Sequence, residues 1–202
     1  SMRTDPGGKG INVSKVIQKL GGASVAAGIL GGDTGRAILS ALTEMGLTTL
    51  FHFVEGETRT NMKIIDPDNH TNTDINEPGV TVSEEILEKL LEELLAKVTK
   101  EDIVVISGSM PKGSPKDTYY TWTKAFREKG AKVILDADGD LLKAGLKASP
   151  YLIKPNNHEL GALTGRALET PEEIAETAAE LMKEYGIGKV VVSMGGDGAV
   201  YV

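Results

Sequence analysis

No cysteine occurs anywhere in the 202 residues, which excludes a disulfide framework and a thiolate metal site. Aromatic residues make up only 4%, so the core is expected to be built from Ile, Leu, Val, Ala and Met. No apolar run approaches the ~20 residues that a membrane-spanning helix needs, and no signal-peptide pattern is found; a soluble, cytoplasmic protein is the expectation. Basic residues are in the minority, 22 Lys and Arg against 29 Asp and Glu, for a net charge of −7. That argues against general binding to nucleic acid or to an anionic membrane surface. Small anionic substrates stay open, wherever a few cations converge. What is present, 40% hydrophobic and 25% charged residues, suits one globular domain with a real core.

Helical and strand patterns alternate along the chain. "GINVSKVIQKLGG" puts Ile11, Val16, Ile17 and Leu20 on one helical face, and Gly21–Gly22 stops it. "SVAAGIL" reads as a buried strand and "TGRAILSALTEMG" as a second helix, with Ile38, Leu39, Leu42 and Met45 on its apolar side. Then come three short strand patterns with no helix between them, "TTLFHFV", "TRTNMKIID" and "TNTDIN". They predict an antiparallel flap or lid over roughly residues 48–76, with Phe51, Phe53 and Met62 covered by the domain or by a second subunit. From residue 83 the alternation resumes. Ser83 is placed to cap the helix "SEEILEKLLEELLAKV", and strands "DIVVISGS", "KVILDAD", "YLIKPN" and "KVVVS" are separated by helices. "TPEEIAETAAELMKEYG" carries Thr170 as N-cap, Pro171 at the first helical position and Glu173 three residues on, a capping box. Val/Ile-rich strands alternating with helices mean a mainly parallel sheet flanked by helices.

In such a sheet, ligands bind beyond the carboxyl ends of the strands. The residues there are Ser107, Gly108 and Ser109 of "ISGSMPKG", Lys154, Asn156 and Glu159 of "LIKPNNHE", and Ser193, Gly195 and Gly198 of "VSMGGDG". In the flap, Arg59, Asn61 and Lys63 alternate and would share one strand face, where two cations and an amide make either a phosphate clamp or a solvated surface. The opening "DPGGKGIN" has two readings: an anion site at a helix N-terminus, served by Lys9 and Asn12, or a tight turn needing positive φ. No G-x-x-x-x-G-K-[ST] loop exists, and "GKGINV" lacks the third glycine of G-x-G-x-x-G. His52, His70 and His158 are scattered without zinc-ligand spacing, so no metal role is read for them. Asp136, Asp138 and Asp140 are explained by a strand end and a helix cap, and Trp122 by packing.

The ordered set "GGKGINVSK", "TRTNMK", "SGSMPKG", "KPNNHE" and "SMGGDGA" resembles the PfkB family of ribokinase-like sugar kinases. Within it, the motifs are most similar to those of kinases acting on fructose 1-phosphate, with tagatose 6-phosphate and fructose 6-phosphate kinases as alternatives. The resemblance implies an α/β, ribokinase-like domain over residues 1–202, with the lid at 48–76. It implies ATP and Mg²⁺ as cofactors and a homodimer joined through the lid. By the same resemblance, Gly8, Lys9 and Asn12 would meet the sugar phosphate, Arg59 with Lys63 would hold its phosphate, and Ser109 would contact the same substrate. Lys154, Asn156, Ser193, Gly195 and Gly198 would bind the nucleotide, and Glu159 would orient the Mg²⁺ hydration shell. Two further family features, an opening strand with a substrate-binding aspartate and a G-A-G-D motif carrying the general base, are not among these residues. The 202 residues by themselves are therefore expected to be catalytically incompetent, with no catalytic residue of their own, while the parent protein is a kinase. A non-catalytic sugar-phosphate or nucleotide-binding fragment is the reading from another class.

Overall fold

Parallel strand pairing in two separate stretches, with an antiparallel pair between them, organises the chain in a computed structural model that describes residues 4–66, 69 and 71–202. The chain divides into two compact units, Ser1–Leu90 with Met110–Ser114, and Leu91–Ser109 with Pro115–Val202.

In the first unit, α1 (Lys9–Lys19) precedes β1 (Val25–Gly31), and α2 (Gly32–Glu44) crosses over to β2 (Thr48–Val54). β1 and β2 pair in parallel over seven residues, from Val25 opposite Thr48 to Gly31 opposite Val54. A parallel pair needs a crossover, and α2 supplies it. β3 (Asn61–Asp66) and β4 (Thr71–Asn76) then pair antiparallel, Met62 opposite Ile75 and Lys63 opposite Asp74. The three-stranded antiparallel flap expected over 48–76 is thus a two-stranded one: β2 belongs beside β1, because its apolar "LFHFV" run finds a full-length partner there. Two of the apolar residues expected to be covered stay exposed, Phe53 at 42% and Met62 at 48%. His70 lies outside the described residues.

The apolar stripe read for α1 is also revised. Val16 and Leu20 are exposed, and the buried residue of this helix is Ser14. A short helix returning onto β1 buries its small residues where the backbones approach. In α2, Leu42 is fully buried while Met45 at the C-cap is exposed.

The second unit is a five-stranded sheet in sequential order: β5 (Ile103–Ser107), β6 (Lys132–Asp136), β7 (Leu152–Ile153), β8 (Lys189–Ser193) and β9 (Ala199–Tyr201). The first four run parallel and β9 closes the edge antiparallel to β8. Between them lie α4 (Thr118–Glu128), α5 (Gly139–Leu146), α6 (Asn157–Thr164) and α7 (Pro171–Tyr185), each packed on the next. α3 (Glu84–Lys97), whose N-terminal amide at Ile86 is met by Ser83 at 3.4 Å, precedes this sheet in sequence. Buried Val133, Leu135, Ile153, Val190 and Val192 form the sheet's contribution to the core. The core is not purely aliphatic, however. Tyr119 and Phe126 on α4 are the largest fully buried side chains, and Trp122 packs edge-on against Phe126 at 6.3 Å. Among the described residues, no helix is long and apolar enough to cross a membrane.

The start of α7 follows the local chemistry read from the sequence. In α7 the Thr170 hydroxyl accepts the Glu173 N–H and the Glu173 carboxylate accepts the Thr170 N–H, with Pro171 at the first position and left-handed Gly186 at the end. The Glu169 N–H and then the Thr170 N–H, both donating to this carboxylate, hold the Glu173 carboxyl below its ordinary pKa.

Candidate functional site

In the first unit, the opening glycines carry α1. Gly8 sits at φ +127°, a conformation that L side chains rarely adopt, and its carbonyl accepts the Asn12 N–H at 2.9 Å to close the first turn. The Lys15 ammonium donates to the Pro6 carbonyl and ties the loop back onto the helix. The positive-φ reading of "DPGGKGIN" is therefore met at Gly8, and among the described residues no side chain caps α1. Gly8, Lys9 and Asn12 are all exposed. α1 packs on β1 across a short connection. Its N-terminus therefore points toward the end of the unit where β1 finishes.

That end of β1 receives the loop before β3. The Glu57 carboxylate accepts the N–H of Asp33 at 3.0 Å and of Thr34 at 3.1 Å, capping α2 from 24 and 23 residues away. These two bonds lower the Glu57 pKa. Next to it, Thr58 is bonded twice to Gly31: the Gly31 N–H donates to its hydroxyl at 2.8 Å and its own N–H donates to the Gly31 carbonyl at 3.0 Å. Gly32, at φ +62°, has no Cβ that would overlap the Glu57 carboxylate. After Arg59, the Thr60 N–H donates to Glu77 Oε2 at 2.9 Å. The stem of Arg59 lies over Gly79, where an added Cβ would stand 3.8 Å from the arginine Cδ.

Arg59 thus precedes β3 instead of lying on it, since the loop bonds of its neighbours hold it off the strand. It does not share an alternating face with Asn61 and Lys63, as the sequence led us to expect. Lys63 faces Asp74 across the antiparallel pair at 3.6 Å, both half exposed.

In the second unit, the strand ends bring a second set together. β5 ends at Ser107, and the Gly108 N–H donates to the Asp136 carbonyl at 3.1 Å. The buried Tyr119 hydroxyl donates to the Gly108 carbonyl at 2.7 Å, and burial, with the Asp136 and Asp138 carboxylates nearby, pushes this phenol well up. Ser109, in the turn after β5, is exposed. β6 ends at Asp136, whose Oδ1 lies 3.4 Å from the Lys154 ammonium. Asp138 occupies the N-cap position of α5 without a side-chain capping bond, and Asp140 lies in that helix's first turn. After β7, Asn156 caps α6: its Oδ1 accepts the Glu159 N–H at 2.8 Å, and Glu159 Oε2 accepts the Asn156 N–H at 2.8 Å. The Ser193 N–H donates to the Pro155 carbonyl at 3.0 Å, joining Asn156 to the end of β8. Lys154, Asn156, Glu159 and Ser193 accordingly cluster along one rim. Gly195 (φ +60°) and Gly198 (φ +93°) shape the β8–β9 turn, where the Met194 N–H donates to the Gly198 carbonyl at 2.8 Å.

Among the described residues, no three His, Asp or Glu side chains gather around a point that could hold a metal ion. Mg²⁺ held against nucleotide phosphates takes only one or two protein carboxylates and keeps its waters. Glu159, fixed at the start of α6 by its capping box with Asn156, meets that requirement as a single carboxylate.

Sequence reasoning missed Glu57, Thr58 and the role of Asp136 as partner of Lys154. The usable signal was "GGDTG" at a strand-to-helix junction, glycines where a second segment approaches.

The family profile described as pfkB family carbohydrate kinase matches residues 1–202. The chain is 42% identical over 195 residues to 1-phosphofructokinase of Bacillus subtilis (strain 168), covering 96% of this chain and 63% of that protein. It is 38% identical over 197 residues to 1-phosphofructokinase of Haemophilus influenzae, covering 98% of this chain and 62% of that protein. The crystal structure of phosphofructokinase-2 from Escherichia coli in complex with fructose-6-phosphate superposes with a TM-score of 0.90 at 31% identity, over 97% of this chain and 65% of that one. The chain therefore spans less than two thirds of the length of these relatives. It shares their ribokinase-like fold, and it belongs to the pfkB family of carbohydrate kinases.

Proposed function

We propose that the intact protein transfers the γ-phosphoryl group of ATP to the 6-hydroxyl of fructose 1-phosphate, giving fructose 1,6-bisphosphate. The observation that carries this reading is the 42% identity to a 1-phosphofructokinase across nearly the whole chain. Within the first unit, Gly8, Lys9, Asn12, Arg59 and Lys63 are the residues for the sugar phosphate. Lys154, Asn156, Ser193, Gly195 and Gly198 hold ATP, and Glu159 orients the water shell of Mg²⁺. Catalysis of phosphoryl transfer is chiefly positioning and charge stabilisation, and fixed cations with a rim of main-chain amides supply both. Bound there, Mg²⁺ would supply positive charge against the nucleotide phosphates. The general base implied by the family is the aspartate of G-A-G-D, which is not among these 202 residues. A second reading, fructose 6-phosphate as acceptor, is favoured by the phosphofructokinase-2 likeness.

We also propose a soluble, cytoplasmic homodimer. Support comes from the lid: Met62, Ile64 and Ile75 are exposed and share one face of the β3–β4 pair, an apolar surface suited to a second copy. The function is tested by ADP release from the intact protein with fructose 1-phosphate, fructose 6-phosphate and tagatose 6-phosphate in turn. Fructose 1-phosphate is expected to give the highest kcat/KM. Faster turnover of either competitor would reassign the substrate.

A further inference from the structure

We infer that Glu57 and Thr58 are positioning residues that fix Arg59 for the sugar phosphate by docking its loop onto the β1–α2 junction. The inference rests on the reading of Arg59 as a phosphate ligand and adds what makes that ligand rigid. An arginine on an exposed loop loses rotamer and backbone freedom on binding, which subtracts from affinity unless the loop is ordered beforehand. Here the loop is ordered on both sides of Arg59. On one side Glu57 caps α2 through the Asp33 and Thr34 amides, and Thr58 exchanges two hydrogen bonds with Gly31. On the other, Thr60 is bonded to Glu77, and Gly79 leaves room for the arginine stem.

The receiving surface is built for this contact. A Cβ on Gly31 would lie 2.6 Å from the Gly56 carbonyl and 2.7 Å from Val80, one on Gly32 would overlap the Glu57 carboxylate, and one on Gly35 would press on the Thr58 hydroxyl at 3.1 Å. Three glycines of "GGDTG" thus face the loop that carries Arg59. Glu57 also acts as the anion at the positive end of the α2 macrodipole, so its charge as well as its shape holds the loop.

The test uses the intact protein and fructose 1-phosphate, with KM for each substrate and kcat measured separately. Thr58→Val, which removes the hydroxyl at nearly constant volume, and Glu57→Gln are each expected to raise KM for fructose 1-phosphate about tenfold, the scale of one lost charge-linked or part-buried hydrogen bond. KM for ATP should stay within about twofold, and Thr58→Ser should restore the wild-type value. In an Arg59→Ala background, Thr58→Val should add nothing further, because the residue it positions is gone. If Arg59→Ala raises KM while Thr58→Val and Glu57→Gln leave it at the wild-type value, the docking role is overturned and the Arg59 assignment stands. An Arg59→Ala protein with unchanged KM removes the Arg59 assignment and this inference with it. Additive effects in the double variant would show that Thr58 acts by another route and would overturn the inference alone. Should Glu57→Gln fail to fold by circular dichroism, the Thr58 variants decide the matter.

Discussion

The Lys154 ammonium lies 3.4 Å from Oδ1 of Asp136, bridging the carboxyl ends of neighbouring strands β7 and β6. Lys154 is 44% exposed and Asp136 only 15%, so the carboxylate is the fixed member and the ammonium the one it aims. A pair this exposed adds at most about 1 kcal/mol to stability. Its consequence is direction: the lysine is held along the rim shared with Asn156, Glu159 and Ser193.

Lys154→Ala in the intact protein should therefore raise KM for ATP about tenfold or more, as expected for losing one charge-assisted phosphate contact. KM for the sugar phosphate and the melting temperature should hardly change. Steady-state kinetics and a thermal melt separate the two effects. A large drop in melting temperature with unaltered KM for ATP would make the residue structural.

Thr170 closes a reciprocal capping box at the start of α7. Replacing it with alanine should cost about 1 kcal/mol, the usual value of an N-cap. Urea unfolding of the intact protein would read the loss as a lower midpoint at unchanged slope.

Gly32 and Gly139 both have positive φ, +62° and +53°, but only Gly32 faces another group. Gly139→Ala should cost about 1 kcal/mol, the left-handed backbone penalty alone. Gly32→Ala should cost more, about 2–3 kcal/mol, because Glu57 must also be displaced. Equal losses in paired melts would mean that Glu57 gives way freely.

Glu57, Asp102 and Glu173 all have depressed carboxyl pKa values, through backbone hydrogen bonds from Asp33 and Thr34, from Thr99, and from Glu169 and Thr170 respectively. A group with a lower pKa folded than unfolded binds more protons when unfolded. Its stabilisation is thus complete above the ordinary carboxylate pKa and is lost as pH falls through the folded value. The melting temperature should accordingly decline on acidification below about pH 4.5, the scale set by ordinary carboxylates. The decline should be shallower in Glu173→Gln; an identical acid limb would mean that this bond network does not contribute.

Local signals were legible in the sequence, and through-space ones were not. Thr170, Pro171 and Glu173 specify the start of α7 within four residues, and Ser83 marks the start of α3, so both could be read directly. The strand ends bearing Ser109, Lys154, Asn156 and Ser193 followed from the βα alternation. The partner of β2 could not be read, since "TTLFHFV" suits either a parallel or an antiparallel neighbour. Nor could the docking of Glu57 on Asp33 and Thr34, or of Asp136 on Lys154, because each joins residues 18 to 24 positions apart in sequence. Scarce aromatics suggested an aliphatic core, yet Tyr119 and Phe126 are buried on α4, where composition gives no guide to placement.

Phosphorus NMR of the products formed by the intact protein from ATP, Mg²⁺ and fructose 1-phosphate tests the central claim most directly. The account predicts ADP and fructose 1,6-bisphosphate in equal amounts, with the new ester at the 6-position. Release of inorganic phosphate in place of a second sugar ester, or a new ester at any other hydroxyl, would contradict it.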